Sequence, residues 1–512
     1  MDIRTPCSPT DRESLHAQLD RLADQYLDAC SKCKVDLHGV EVEHQKVMVQ
    51  IGEVLNEAGV RDAMSEEMVW HCPECSQFLG YHDTQEKCII LASGKAQLQE
   101  GRYRCSRCGK DYRPVRMLND LEHTGYTLGA REKIVETATG IAFMPTSAAV
   151  RPPVVVSAKK VEKVVAEAAA WLRKEQEEGV KLFLGDRAVP GPLETGTPAW
   201  LVTQWQERPL PPGAVLTMSV DGGKIRGTAK DAQKKLEWFE GRAATFSITV
   251  GGKALPLKES GGKVYLAGKF TADETFDRMA ATYAALPAAV RALPKALVAD
   301  DGPWWGRAME HFPDAVQVLD LYHAGEDLGK AARLCFREET GKPKLWRQQA
   351  REWLQEEGKQ EALIAELRAA LPEAVERLSA ADYHEAELAI AYLERNAPRM
   401  RYKEFQEKGL PISSGMGESA VKQTVIGRCR QAGMMWREEH ADDSLRLRGA
   451  TLSHELPSLY RRHREACLAQ AKKLNEGLEL AARGGSLVPG ANPMPDQCAH
   501  RAPARVLPES PG

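Results

Sequence analysis

Hydrophobic residues recur at two different spacings along the chain, and each spacing predicts a different kind of element. In residues 12–67, apolar side chains such as Leu15, Leu19 and Leu22 follow one another at intervals of three or four residues. This predicts helices with one buried stripe that packs on the rest of the protein or on a second copy. Short β-rich apolar runs bounded by acidic residues, glycine or proline predict strands instead. Such runs lie at 215–221, 244–250, 263–266, 296–301 and 316–319.

The order of these elements predicts a multidomain α+β protein. A chain of 512 residues has room for several domains, since single cores stop growing at about 250 to 300 residues. In chain order we predict an N-terminal helical region (1–66), a cysteine-bearing β segment (67–118), a helical segment with a linker (119–212), the first part of a mixed α/β core (213–327), a helical insertion (328–408), a helix that returns to the core (409–436), C-terminal helices (437–483) and a disordered tail (484–512).

Two pairs of cysteines give the clearest local signal. Cys72 and Cys75 flank Pro-Glu, and Cys105 and Cys108 flank Ser-Arg ahead of a glycine, with a mostly β-like stretch between the pairs. Tetrahedral Zn²⁺ takes four thiolates, and each short turn presents two, so the spacing predicts a zinc ribbon. The alternative is four unligated cysteines. A closed four-thiolate site leaves no position for water, so we assign the zinc a structural role.

A third cysteine pair, Cys30 and Cys33, lies in the predicted N-terminal helices. Cysteines three residues apart share a helix face and have His38 and His44 nearby as possible partners for a metal. Because no second pair of cysteines accompanies them, we favour ordinary packing for Cys30 and Cys33.

The helical segment after the β segment has two interpretations. Residues 128–141 and 156–178 predict helices separated by prolines, and the second has a basic first half and an apolar face. Helices joined by short turns are typical of a helix-turn-helix that reads the DNA major groove. A three-helix linker bundle gives the same pattern.

Carboxylates end three of the predicted strands. Asp221 follows the strand at 215–220, Asp300 and Asp301 follow 296–299, and Asp320 follows 316–319. Carboxyl ends of adjacent strands in an open α/β sheet face a shared crevice. A fourth carboxylate, Glu418, lies in the first turns of a helix that a Ser/Gly-rich turn opens. Such a site suits Mg²⁺, which carboxylates and substrate phosphates hold.

The motifs VDGG, ADDGPWW, LDLYH and SSGMGESAVKQTVIGRCRQAGMMW together resemble the DDE transposases of bacterial insertion sequences, most closely the ISKra type and its Mutator-like relatives. The resemblance covers roughly 215–436. It implies an RNase H-like core, with Asp221, Asp301 and Glu418 as catalytic and metal-binding residues. It also makes Asp320 and His323 the D-x-x-H pair and 328–402 the helical insertion. The doubled Asp300-Asp301 leaves that ligand assignment open by one residue.

The resemblance also implies a reaction and its partners. Two Mg²⁺ or Mn²⁺ ions per site would clamp the attacking and leaving oxygens while DNA is cut at transposon ends and the 3′-OH is joined to target DNA. The partners would be double-stranded transposon ends and target DNA, bound by a homodimer or a larger assembly. His323 would support the site, unless it is a capping or core histidine. Trp304, Trp305 and Trp436 would stack on an unpaired base or anchor the helices.

Two other classes of protein fit the same motifs. One is a transposase-derived DNA-binding protein without catalysis, and the other is an RNase H-like nuclease that does not join strands. The three retained carboxylates argue against the first. The metal site is common to transposases and nucleases, so the sequence does not separate them.

Composition limits how DNA is bound. Lys+Arg 69 against Asp+Glu 72 gives a net charge of -3, so DNA binding must come from local patches. Basic residues after Asp221 either track a DNA backbone or form a solvated hairpin; they are Lys224, Arg226, Lys230, Lys234 and Lys235. The 12 cysteines, without a charged-then-apolar leader in 1–20 or an apolar run of about 18 residues, predict a cytoplasmic protein that associates with the nucleoid when bound to DNA, and no membrane partner.

Overall fold

The structure, a computed structural model, describes residues 9–33, 36–63, 70–121, 124–141, 146, 156–185, 209–230, 235–255, 262–300, 302 and 305–469. Over these residues the chain is a mixed α+β protein with several helical layers and two sheets. None of the helices in the described part of the chain combines the length and apolar character needed to cross a membrane.

The N-terminal part pairs two helices with a small sheet. Helices α1 (Pro9–Cys33) and α2 (Leu37–Ala63) pack against each other, and α2 also packs on the sheet. The predicted stripe of Leu15, Leu19 and Leu22 is only half-buried. The sheet is antiparallel and has the order β1-β2-β3. Its strands are β1 (Leu79–Leu91), β2 (Gly94–Cys105) and β3 (Asp111–Tyr112), and the short α3 (Pro114–Leu118) follows.

Helices that precede and follow the larger sheet in sequence form the next layer. Helix α4 (Leu128–Ala138) begins at Thr127, whose side chain accepts a hydrogen bond from the Ala130 amide. Helix α5 (Ala158–Gly185) buries the predicted apolar face, including Val161 and Val164. Both helices share a core with the C-terminal helices, so this segment is part of a bundle that closes onto the end of the chain.

The larger sheet has six strands in the order β6-β5-β4-β8-β9, with β7 also paired to β5. Its first strands are antiparallel, whereas β8 pairs with β4 and with β9 in parallel. The strands are β4 (Ala214–Lys230), β5 (Leu236–Val250), β6 (Lys253–Ala254), β7 (Lys263–Gly268), β8 (Lys295–Ala299) and β9 (Val316–Leu319). Strands β4 and β5 are much longer than the predicted 215–221 and 244–250. Strand β4 continues past Asp221 to Lys230, and β5 begins already at Leu236, which pairs with Lys230.

Each face of this sheet has its own hydrophobic core. On one face, Leu216 and Met218 pack against Phe276 and Met279. The helices of this face are α6 (Ala272–Ala284), which a Thr271 and Glu274 capping box opens, α7 (Ala288–Arg291) and α8 (Trp305–His311).

The opposite face carries the predicted helical insertion. Its core joins sheet residues such as Val298 and Val318 to Leu328 and Leu367. The helices are α9 (Leu321–Cys335), α10 (Lys342–Trp353), α11 (Lys359–Ala374), α12 (Ala380–Asn396) and α13 (Tyr402–Glu407), with 3-10 turns at Glu338–Thr340 and Ala397–Met400.

The chain then returns to the middle of the sheet. Helix α14 (Gly415–Val421) continues as a π-helix (Lys422–Ile426) and ends in α15 (Gly427–Cys429). Helix α16 (Glu438–Leu452) and a last helix, α17 (456–469), complete the described chain. The predicted tail at 484–512 lies outside the described residues.

Candidate active site and metal centre

The register of the parallel strands brings three aspartates to one level of the larger sheet. Ser219 of β4 lies opposite Val298 of β8, so Asp221 and Asp300 are each two residues further along neighbouring strands. Ala299 lies opposite Leu319 of β9, so Asp300 and Asp320 follow on the next pair. The register therefore places the three aspartates at one level of adjacent strands: Asp300 and Asp320 follow the ends of β8 and β9, whereas β4 continues past Asp221.

Asp300 lies at the centre of this group. Its Oδ1 is 3.2 Å from His323 Nε2. Burial raises the pKa of Asp300 to about 6, and the negative charges of Asp221, Asp320 and Glu418 add to this rise, while His323 opposes it. The carboxylates are thus close enough to repel one another, and a cation among them would relieve that repulsion.

Asp221 is half-buried on β4 and has the same electrostatic character. Burial raises the pKa of Asp221, the Gly222 amide and His323 lower it, and Glu418 and Glu240 raise it again. The Gly222 amide donates to Asp221 Oδ1 at 2.6 Å and so fixes the direction of the carboxylate.

Glu418 reaches the site because α14 lies directly on β4. A Cβ on Gly417 would be 3.2 Å from the Ser219 Cβ and 3.6 Å from the Asp221 Cβ, so only glycine permits this approach without a shift of its neighbours. Glu418 is the next residue, and its Oε2 lies 3.1 Å from Lys422 Nζ one turn later. The ion pair places the Lys422 ammonium group beside the Glu418 carboxylate at the mouth of the site.

Asp320 is fully buried and organises the loops around the site. It caps α9, because its Oδ1 accepts hydrogen bonds from the Tyr322 and His323 amides. Its Oδ2 accepts one from the Ser414 amide at 2.5 Å, at the start of the segment that carries Glu418. The sequence predicts the pair of Asp320 and His323 but not the hydrogen bond from the Ser414 amide. An aspartate immediately before a helix is a capping signal, yet its second partner is distant in sequence.

The arrangement suits a divalent cation. Asp300, Asp320 and His323 offer ligand atoms within 4.8 Å of one another. Both oxygens of Asp320 already accept backbone hydrogen bonds. Asp221 and Glu418 lie outside this three-residue group, and their charges raise the pKa of Asp300. Oxygen ligands of this kind fit Mg²⁺ or Mn²⁺.

Several residues singled out in the sequence lie elsewhere. Asp301 and Trp304 lie outside the described residues. Trp305 and Trp436 are buried, and the Trp436 indole donates to the Cys429 carbonyl. The burial of both rings agrees with the alternative that these tryptophans anchor helices and do not stack on a base.

A second potential metal site is the four-cysteine cluster. The sulfurs of Cys72, Cys75, Cys105 and Cys108 all lie within 4.8 Å of one another. The Sγ atoms are 3.6 Å apart for Cys72 and Cys108 and 3.3 Å apart for Cys75 and Cys105. Four sulfurs about 2.3 Å from a tetrahedral Zn²⁺ would be about 3.8 Å apart, so the cluster fits a metal such as zinc.

Two tight turns prepare this cluster. The Ser76 amide donates to the Cys72 carbonyl and the Gly109 amide to the Cys105 carbonyl, both at 2.9 Å. Burial raises the pKa of the Cys72 thiol, but hydrogen bonds from the Tyr112 hydroxyl and the backbone lower it to about 6. Tyr112 lies 3.3 Å from the Cys72 sulfur. A thiolate favoured in this way suits metal binding.

The remaining cysteine pair does not join such a cluster. Among the described residues, only the four-cysteine cluster and the Asp300 group bring three or more potential ligands together. The Cys33 thiol instead donates to the Ala29 carbonyl within α1. Ordinary packing, which the sequence favoured for Cys30 and Cys33, agrees with this arrangement.

Comparisons with known proteins add no identity to this geometry. No protein-family model matches the chain, and it has no significant match among curated proteins.

Proposed function

We propose that the protein is a DDE transposase that cuts DNA at transposon ends and joins the 3′-OH to target DNA. The observation that carries the proposal is the convergence of Asp221, Asp300 and Glu418 on one crevice from two strands and a helix. The charges of these three side chains act on one another. We assign the second carboxylate to Asp300 in preference to Asp301, because Asp300 pairs with His323.

The fold supports the same proposal. When β4, β5, β7, β8 and β9 are numbered 1 to 5 and the two-residue β6 is left out, the larger sheet has the order 3-2-1-4-5, with the second strand antiparallel to the others. This is the order of an RNase H-like core, and the helices between β9 and α14 take the place of the insertion that the family carries. We likewise propose that the four-cysteine module is a structural zinc ribbon.

Each residue has a distinct task in the proposed reaction. Asp221, Asp300 and Glu418 would hold divalent cations, which supply positive charge against the charge that develops on the phosphoryl oxygens. His323 is a positioning residue that fixes the Asp300 carboxylate through its Nε2. Lys422, beside Glu418, would contact a DNA phosphate near the scissile bond. Asp320 keeps the Ser414 segment, and with it Glu418, in register with the sheet.

The test is cleavage of DNA that carries the ends of the element, taken from inverted repeats flanking the reading frame. Asp221→Asn, Asp300→Asn and Glu418→Gln should each lower Mg²⁺- or Mn²⁺-dependent cleavage by at least about a thousandfold, and DNA affinity should stay nearly unchanged. Asp301→Asn should retain activity, and so should Asp273→Asn, which removes an acidic residue of α6 as a control.

Other outcomes would redirect the proposal. Equal loss of DNA binding in the three variants would make these side chains structural. Loss of activity in Asp301→Asn alone would return the second ligand to Asp301. Cleavage without any joining of the 3′-OH to a target duplex would identify a nuclease with the same metal site.

A further inference from the structure

A ribbon of strands extends beyond the carboxylate site and is covered on one side only. Past Asp221, β4 continues to Lys230 and pairs with β5 from Leu236 onwards. The inner side packs against the helix that carries Glu418. Ile225 is fully buried there, and a Cβ on Gly223 would be 3.0 Å from a Val425 methyl group.

The outer side combines basic and aromatic side chains. Arg226 lies opposite Trp238 and Lys224 opposite Glu240, and directly opposite residues of an antiparallel pair share a face. Trp238 is 53% exposed, and Lys224 and Arg226 are exposed as well. Lys224 and Arg226 make no ion pair with the described residues.

The charge balance on this side is positive. Of the four residues in these two cross-strand pairs, Glu240 alone has a carboxylate. Its Oε2 forms an ion pair with Arg242 Nη2 at 2.8 Å. The two unneutralised cations therefore flank an exposed indole on a rigid surface. An isolated β-bridge to Trp436 stiffens the surface further, since the Trp436 amide donates to the Arg226 carbonyl and the Thr228 amide to the Trp436 carbonyl.

The chemistry of this surface identifies its occupant. An exposed indole favours a flat apolar face, and flanking cations favour anions at regular spacing. Nucleic acid offers both, as stacked bases and as a phosphate backbone. The major groove of DNA is also wide enough to admit a two-stranded ribbon.

We propose that Lys224, Arg226 and Trp238 form a docking surface for duplex DNA, with the cations on phosphates and the indole against a sugar or base. This inference rests on the proposed function. Successive residues of a strand face opposite sides, so Arg226, five residues beyond Asp221, lies on the side of the ribbon that faces away from Asp221 and the helix of Glu418. The surface therefore contacts a stretch of duplex outside the carboxylate crevice.

The first test measures binding of the full chain to a fluorescein-labelled duplex of mixed sequence by anisotropy, between about 50 and 200 mM NaCl. Lys224→Ala and Arg226→Ala should each reduce the salt slope by about one. Trp238→Ala should weaken binding roughly 5- to 100-fold, and Trp238→Phe should restore most of the affinity. Lys344→Ala and Leu388→Ala are matched controls, because both residues are exposed on the helical insertion.

The second test places the photoreactive residue p-benzoylphenylalanine at position 238. A covalent adduct with the duplex, absent when the same residue replaces Leu388, supports the proposal. An adduct with a second copy of the chain instead of DNA overturns it, as does unchanged binding by Trp238→Ala and Arg226→Ala.

The two proposals fail separately. If Asp300→Asn loses cleavage while the ribbon variants bind DNA like the parent, only the docking surface is refuted. If the ribbon variants lose binding but the parent shows no cation-dependent cleavage, the docking surface stands and the proposed reaction is refuted. A chain that binds no duplex refutes both.

Discussion

Asp320 is the most constrained carboxylate of the candidate site, although it is the one least available to a metal. It is fully buried, and its two oxygens accept three backbone hydrogen bonds from two separate segments. A buried carboxylate is tolerated when its hydrogen-bonding capacity is satisfied in this way. Asp320 therefore sets the geometry of the site from within the protein.

Replacing this residue should damage stability before it damages chemistry. Asp320→Ala removes a helix cap, which typically costs about 0.5 to 2 kcal/mol, and leaves the buried Ser414 amide without its partner, which costs about 1 to 3 kcal/mol. We expect the free energy of unfolding in urea to fall by about 2 to 4 kcal/mol. Ser379→Ala removes the exposed cap of α12 and should cost only about 1 kcal/mol. Similar losses in both variants would contradict this account.

At this scale the sequence predicts which carboxylates lie near one another better than how they are oriented. Asp221 and Glu418 could be named because a carboxylate follows a β-rich run in one case and opens a helix in the other. The choice between Asp300 and Asp301 could not be made. It depends on which side of the sheet each side chain faces, and a shift of one residue reverses that side.

Among the elements, the small N-terminal sheet would be stabilised most by a metal. Within the described residues, its hydrophobic core has four buried members: Ile89, Ala96, Leu98 and Leu121. So small a core rarely stabilises a sheet alone, whereas a structural zinc ion adds a large binding free energy to folding.

We therefore expect the purified chain to contain stoichiometric zinc. Cys105→Ser should lose the zinc and greatly accelerate amide hydrogen exchange across β1 and β2, while the larger sheet keeps its protection. Elemental analysis and exchange mass spectrometry measure the two effects. Cys30→Ser is the matched control and should behave like the parent. Equal zinc content in both variants would count against the four-cysteine site.

The length of β4 shows where sequence patterns fail at the scale of elements. Asp221-Gly222-Gly223 has the composition of a turn, so the strand predicted from the sequence ends at Asp221. In the structure the strand continues, because the glycines make room for neighbours on both sides of it. A Cβ on Gly222 would collide with the Glu240 side chain, and one on Gly223 would crowd Val421 and Val425. Contacts with residues about 200 positions later are not visible in a local pattern.

Across the whole molecule, helices that precede and follow the larger sheet in sequence share one core. Ile134 and Val164 pack with Leu447 and Leu459, so the bundle that begins with α4 is completed only by the last described helices. The apolar faces of the helices in the segment at 128–178 are used against these C-terminal helices.

This long-range core adjoins an acid with a consequence for stability. Glu455, just before α17, is half-buried, and its Oε1 is shielded from solvent and has no hydrogen-bond partner among the described residues. Burial raises the pKa of Glu455 well above 4.5; Arg462 opposes this and Glu175 adds to it. The folded protein thus keeps the proton at pH values where the unfolded chain has released it.

The sign of the pH dependence follows from that difference. As the pH rises above 4.5, the unfolded chain gains stability from ionisation and the folded protein does not, so Glu455 lowers the free energy of unfolding by up to about 1.4 kcal/mol per pH unit until it ionises. Glu455→Gln should be more stable than the parent at about pH 8 and similar at about pH 4, measured by urea unfolding. The exposed Glu357→Gln should change neither value. A benefit of Glu455→Gln that is the same at both pH values would exclude this mechanism.

The bond from Asp320 to Ser414 also orders events during synthesis on the ribosome. Its partners are 94 residues apart, and the whole helical insertion is translated between them. A nascent chain that has just released α13 already has every strand of the larger sheet, yet it has neither the Ser414 segment nor Glu418. Truncated translation products that stop in the insertion therefore lack Glu418, the third carboxylate of the proposed site.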